Sequence, residues 1–298
     1  MLNNLIMKAL DAPEVTNKDL FQVITMAYGF GRNIKSNIDF DLLVKKLEKH
    51  KSTLAQMFQC EEDDIKFGDL NSQDTYCKVY FGNVRLEGMD APRAMCNNKI
   101  DCLFGDLIVK NCEMEDIGFI KSIMGDVSIC NSRLNSLGAL ERVVGSLTLS
   151  DSRIDCFDSM KKITPMLFLV GDGKNVGPVI GLNKGHNLII SKNFNMVNCD
   201  CYSLEALASV KGEMNILNSR IEKFGKTEVK GACFIRNNNI EYLDMGKCAE
   251  LKVVGNRILD FNPEIKEINK DAKWLLNKKK QEGKTLSSFS SSQENPTR

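Results

Sequence analysis

Histidine is scarce in this 298-residue sequence, which has only His50 and His186. A Cys/His nucleophile needs a thiolate–imidazole contact and an orienting third group, and no spacing in the chain supplies them. Zinc sites commonly pair two C-x₂₋₄-C knuckles. Here a single C-x-C pair, Cys199 and Cys201, follows His186 with no second pair. Neither a metal nor another cofactor is expected. Net charge is also nearly absent, with 40 Lys+Arg against 39 Asp+Glu giving +1. A strongly basic domain is the usual mark of nucleic-acid binding, so no specific nucleic-acid partner is expected. No run approaches the ~20 consecutive apolar residues of a membrane span, so no membrane partner is expected either. Met1-Leu2-Asn3-Asn4-Leu5 lacks the basic start of a secretory signal. Gly171-Asp172-Gly173-Lys174 lacks the spacing of a phosphate loop, and Pro178 and Gly181 argue against a helix after it.

What is present describes a soluble globular chain: 43% hydrophobic and 27% charged residues. The eleven cysteines fall mostly in apolar or small-residue slots of a repeat, which suits buried reduced thiols and a cytoplasmic location. Residues 1–60 form a helical N-terminal region. Thr16 and Asp19 stand at capping-box spacing before Leu20, Phe21, Ile24, Met26 and Ala27, with Gly29 and Gly31 as the stop. A second helix begins near Asn37–Asp39 and runs through Leu43, Leu47, Leu54 and Met57. A packed amphipathic pair fits better than a DNA-reading helix-turn-helix, since the turn carries no recognition signature.

From about residue 80 the period changes. Gly105, Gly125 and Gly145 recur every twenty residues, and Pro165 holds the next such place. Aligned on them, Leu107, Val127, Leu147 and Leu167 form one apolar column, and Val109, Ile129, Leu149 and Leu169 the next. Four more columns follow at three-residue steps, from Met114/Leu134/Ile154 to Ile123/Val143/Ile163. Self-similarity at such a period predicts a solenoid whose coils bury their inner faces only by stacking. Alternation in the first two columns predicts one short strand per coil, and the three-residue rhythm a 3₁₀-like return. Units resume at Met214, Cys233 and Leu251, the last two with Asn238 and Asn256 in the L-x-L-x-x-N-x-L pattern.

This segment resembles the leucine-rich repeat family, in a divergent form with ~20-residue coils similar to the receptor L-domain-like variants. Cys112, Ser132, Ser152 and Ser219 stand where Asn is usual. The resemblance implies an α/β class: a right-handed leucine-rich-repeat-like solenoid with a parallel sheet on one face, preceded by a small helical region and followed by a short capping helix. It says almost nothing about ligands. The expected division is 1–60 helical, 61–268 solenoid with irregular coils near 80–104 and 170–210, 269–283 a capping helix, and 284–298 a disordered Ser-rich tail. Lys278-Lys279-Lys280 makes the segment before that tail basic.

The functional signal lies in strand residues between the core columns. Ser128 and Thr148 give way to Phe168, Val170 and Ile189, with Phe234 and Arg236 beyond, and these five are expected on one open face. Aromatic and Arg groups at such a site are typical interface anchors. The expectation is therefore a non-enzymatic module binding a protein partner through its sheet face. The alternatives are a structural subunit of a larger assembly, such as a phage or virus particle or a scaffold, and an enzyme using the 186–202 insertion.

Overall fold

The structure, a computed structural model, describes residues 2–28, 38–68, 76–88, 99–157, 159–171, 179–181 and 187–261. Helices come first: α1 (Leu2–Leu10), α2 (Asn17–Tyr28), α3 (Phe40–Glu48) and α4 (Lys51–Phe58). The Thr16/Asp19 box closes as expected even with Asp in place of Glu. The Thr16 backbone N–H donates to Asp19 Oδ2 at 3.0 Å and the Asp19 N–H to Thr16 Oγ1 at 3.3 Å. Asp39 caps α3 by accepting from the Leu42 N–H at 3.0 Å. The single long second helix is in fact two, parted at Lys49–His50, where His50 Nε2 bonds the Leu10 carbonyl at 2.9 Å. Gly29 and Gly31 lie outside the described residues, as do the proposed capping helix 269–283 and tail 284–298.

The rest is a solenoid of about eight turns built from parallel strands. Each coil has three sides, not one strand and a 3₁₀ return. Face A stacks Val84–Glu87, Leu107–Lys110, Val127–Cys130, Leu147–Ser150, Leu167–Val170, Phe194–Val197 and Met214–Leu217. Face B contains Glu113–Met114, Arg133–Ser136, Arg153–Cys156, Val179–Gly181 and Asp200–Ser203. Face C begins at Ile65–Phe67 and includes Tyr76–Phe81, Lys99–Phe104, Ser122–Ile123, Arg142–Val143, Lys162–Ile163, Leu188–Ile190 and Leu207–Val210. In the last coils the corners straighten, and Arg220–Arg236 and Asn239–Val254 each run through all three faces before Arg257–Phe261. The three-residue rhythm is thus the signature of two more short strands and their corners. Leu134 of face B, Leu137 and Leu140 of the corner and Val143 of face C, all fully buried, fill one coil together with Val127 and Ile129 of face A.

The six apolar columns are the core. Leu147 and Ile235 are both fully buried, and Leu147 is in register with Val127 and Leu167. The glycine column serves close stacking of coils. A Cβ at Gly125 would lie 2.1 Å from the Gly105 carbonyl oxygen, and one at Gly145 2.2 Å from that of Gly125. Close approach, not a left-handed turn, demands glycine there. The left-handed positions are elsewhere, at the corner after face A, where Asn111, Asn131, Asp151, Asn198, Asn218 and Asn237 have φ between 48° and 55°. Asn and Asp tolerate that region better than other side chains with a Cβ.

One register differs from the sequence alignment. Leu188 and Ile190 do not open a coil: Ile190 pairs with Ile163 and Val210 on face C. The strand after Leu167–Val170 on face A is Phe194–Val197, so this coil takes 27 residues where its neighbours take 20. The helices close the first coils. Tyr28 meets Phe104 at 5.5 Å between ring centroids, and Phe58 meets Phe81 at 6.2 Å and Phe104 at 5.5 Å. Phe67, Phe81 and Phe104 stack coil on coil at 5.3 and 4.8 Å.

Candidate functional site

Outward residues on face A form two rows. The first is Arg85, Ile108, Ser128, Thr148, Phe168, Asn195, Asn215, Phe234 and Lys252. The second is Glu87, Lys110, Cys130, Ser150, Val170, Val197, Leu217, Arg236 and Val254. Phe168, Val170, Phe234 and Arg236 therefore share this face, as expected. Ile189 does not. It pairs with Lys162 and Ser209 on face C, because the inserted residues precede Leu188 and not Leu204.

Phe168 and Phe234 are also not adjacent. Asn195 and Asn215 stand between them, three strand steps or ~14 Å in all. Asn215 Nδ2 donates to Asn195 Oδ1 at 3.0 Å, which fixes this polar interval. The contiguous apolar line is the second row, Val170–Val197–Leu217, with Val170 and Val254 exposed and Val197 and Leu217 half-buried. Sequence reasoning missed Val197, and the 27-residue coil hid it. The signal was available: Phe194 and Met196 repeat the i, i+2 alternation of Leu167 and Leu169.

Phe234 is half-buried between cations. The Arg236 guanidinium lies 5.3 Å and Lys252 Nζ 5.2 Å from its ring centroid. Lys252 also pairs with Glu250 at 2.9 Å. At the other end Lys110 pairs with Glu87 at 3.3 Å. Between these charged ends five consecutive strands, from Val127–Cys130 to Met214–Leu217, present no charged outward group. The other faces differ. Face B carries Arg153–Asp155 at 2.7 Å and Arg220 between Glu241 at 3.1 Å and Glu222 at 3.4 Å. Along the edge of face C, Lys121 meets Asp101 at 3.0 Å and Lys161 meets Glu141 at 2.9 Å.

The corner beyond face A is closed by a polar ladder. Each slot residue accepts the N–H of its counterpart one coil earlier: Cys112 to Ser132 Oγ at 3.1 Å, Ser132 to Ser152 Oγ at 3.2 Å, Cys199 to Ser219 Oγ at 3.1 Å. Ser219 donates to Asn238 Oδ1 and Asn238 to Asn256 Oδ1, both at 2.8 Å. Asn238 is buried and its Nδ2 returns a bond to the Ile216 carbonyl at 3.0 Å. Asn256 does the same toward Ile235 at 2.6 Å but, next to the last described strand, stays half-buried. These asparagines are structural.

The thiols of the 186–202 segment, which lie after the inserted residues, are equally enclosed. Cys199 and Cys201 are buried; burial pushes the Cys199 thiol up to about 12 and moves Cys201 in the same direction. Such thiols are poor nucleophiles near neutral pH. His186 lies outside the described residues. Among the described residues no three His, Cys, Asp or Glu side chains gather as a metal site, and no helix is long and apolar enough to cross a membrane. No family model, curated protein or solved structure matches this chain.

Proposed function

We propose that the chain is a non-enzymatic interaction module that holds a protein partner on face A. The observation that carries this reading is the uncharged interval: five strands, ~19 Å across the stack, with Val170, Val197 and Leu217 in line. Faces B and C mask their outer surface with ion pairs, whereas this interval offers hydroxyl, amide and branched apolar groups. Phe168 and Val170 at one side and Phe234 with Arg236 at the other are the anchors, and Leu217 and Val197 replace Ile189 between them. Exposed apolar groups rimmed by polar ones are characteristic of protein contact surfaces. The short coils and the polar slot after each face A strand also support kinship with short-coil leucine-rich repeats, although three strands per coil depart from a strand-and-3₁₀ unit. Free buried thiols such as Cys199 and Cys233 suit a reducing, cytoplasmic setting.

The test is a photo-crosslinking residue placed in turn at Ser150 on face A, Asp155 on face B and Arg142 on face C. Capture from native lysate is expected from Ser150 alone, and should fall when Leu217→Asp is added. Equal capture of the same proteins from all three positions would overturn the assignment. Sedimentation of the chain only with a large particle would favour the structural-subunit alternative.

A further inference from the structure

The two borders of face A differ in charge. Acidic groups stand where its strands begin. Asp106 and Asp126 there each accept an N–H from the next coil, and Glu250 pairs with Lys252. Glu213 stands on the same border, four residues or ~13 Å along the strand from Leu217. The second row lies at the other end of the strands. In it Lys110 is neutralised by Glu87, the middle runs Cys130, Ser150, Val170, Val197 and Leu217, and the next residue in register is Arg236. The apolar line therefore ends on a guanidinium.

Arg236 is exposed, and its side chain has no ion pair or hydrogen bond among the described residues. Its guanidinium rests over the Phe234 ring, 5.3 Å from the centroid. Stacking holds the planar group by its face and leaves the N–H edge available. Asp151, the acid at the corner on this side, is four strand steps or ~19 Å away, beyond the ~8–10 Å over which exposed charges act. Past the corner, Glu222 and Glu241 are engaged by Arg220 at 3.4 and 3.1 Å. A fork of donors at the end of three aliphatic side chains suits a planar carboxylate, which it can bind through two parallel hydrogen bonds. The corner N–H groups of Asn218 and Asn237 are spent on the Arg236 and Val254 carbonyls, so they form no nest for a chain-terminal carboxylate. An Asp or Glu side chain is the better match.

We propose that face A takes an acidic–aliphatic protein segment, with aliphatic side chains on Val170, Val197 and Leu217 and an Asp or Glu carboxylate on the Arg236 guanidinium. This rests on the reading of face A as the partner-binding surface and names the partner's chemistry. The probe is a library of random peptides displayed on phage and selected on the full chain, the winners then being synthesised with blocked ends. Winners are expected to share an acidic residue beside aliphatic ones and to be lost on Val197→Asp. Replacing that acid by its amide should weaken binding to the parent chain about 10-fold, but to Arg236→Gln by less than about 2-fold. Arg236→Gln removes only a ring contact, so its melting temperature should be unchanged. Arg236→Lys, which keeps the charge without the fork, should bind between the two. Selection on Arg236→Glu should give basic peptides instead. Winners that need Val197 but carry no acid, or whose acid counts equally for the parent and Arg236→Gln, would overturn this inference and leave face A standing. Winners indifferent to Val197→Asp, or no winners at all, would overturn the reading of face A and this inference with it.

Discussion

Asn238 shows how one side chain can join three coils. Its amide accepts from Ser219 and donates to the Ile216 carbonyl and to Asn256, so both its oxygen and nitrogen are used inside the stack. Asn238→Leu fills the same space but strands at least the Ser219 N–H and the Ile216 carbonyl. A loss of ~1–3 kcal/mol per stranded group is expected in urea unfolding, and unaltered stability would contradict the ladder. Cys199 occupies the same slot as Ser132 and Ser219, and its thiol donates to the Val197 carbonyl at 3.2 Å. Cys199→Ser should therefore fold with a change of about 1 kcal/mol or less at pH 7. Alkaline pH separates the two proteins. Burial raises Cys77, Cys102 and Cys199 to about 12, so the unfolded chain releases these protons first. Their stabilisation is complete below the unfolded pKa of ~8.5 and is lost as pH rises toward 12. Between pH 9 and 10.5, Cys199→Ser should lose ~1–2 kcal/mol less than the parent chain. Identical losses would place Cys199 in contact with solvent.

At the scale of the element, the corner is the unit that repeats. Gly105, Gly125 and Gly145 bring successive backbones too close for a Cβ; one at Gly125 would also meet Asp106 Oδ1 at 2.4 Å. Gly125→Ala should cost ~1–3 kcal/mol, measured by thermal or urea unfolding, because backbone must shift on both coils. A neutral effect would mean the coils are not so tightly stacked. The strands of face A were legible in sequence because one inner face at period two is a strong signal, as Leu147/Leu149 and Ile235 show. The strands of faces B and C, most of them two to four residues long, were not, since segments such as Ser122–Ile123 are too short to alternate. Their apolar residues instead marked time at every third place, which a 3₁₀ turn mimics. The capping box at Thr16 was legible, while the break at His50 depends on a tertiary bond to Leu10 and had no local mark.

For the molecule as a whole, the helices and the three faces divide the work. The helices pack Tyr28 and Phe58 on the first coils, which hides an apolar end that stacking alone would leave open. Faces B and C turn ion pairs outward, each exposed pair worth only ~0–1 kcal/mol, so their effect is on surface character more than stability. Face A keeps its middle uncharged. That site was partly legible: alternation alone placed Phe168, Val170, Phe234 and Arg236 together, but the coil register put Ile189 where Val197 belongs. Leu188/Ile190 and Phe194/Met196 both carry the i, i+2 alternation, and only the ladder from Leu167 to Phe194 chooses between them. The most direct measurement is the affinity of the partner crosslinked at Ser150 for three folded variants: Val197→Asp on face A, Asp155→Lys on face B and Lys162→Glu on face C. With melting temperatures matched, Val197→Asp is expected to weaken binding by ~30-fold or more, the ~2 kcal/mol of an interface anchor, and the other two by less than ~3-fold. Undiminished affinity for Val197→Asp, or an equal loss for all three, would contradict the assignment of face A as the binding surface.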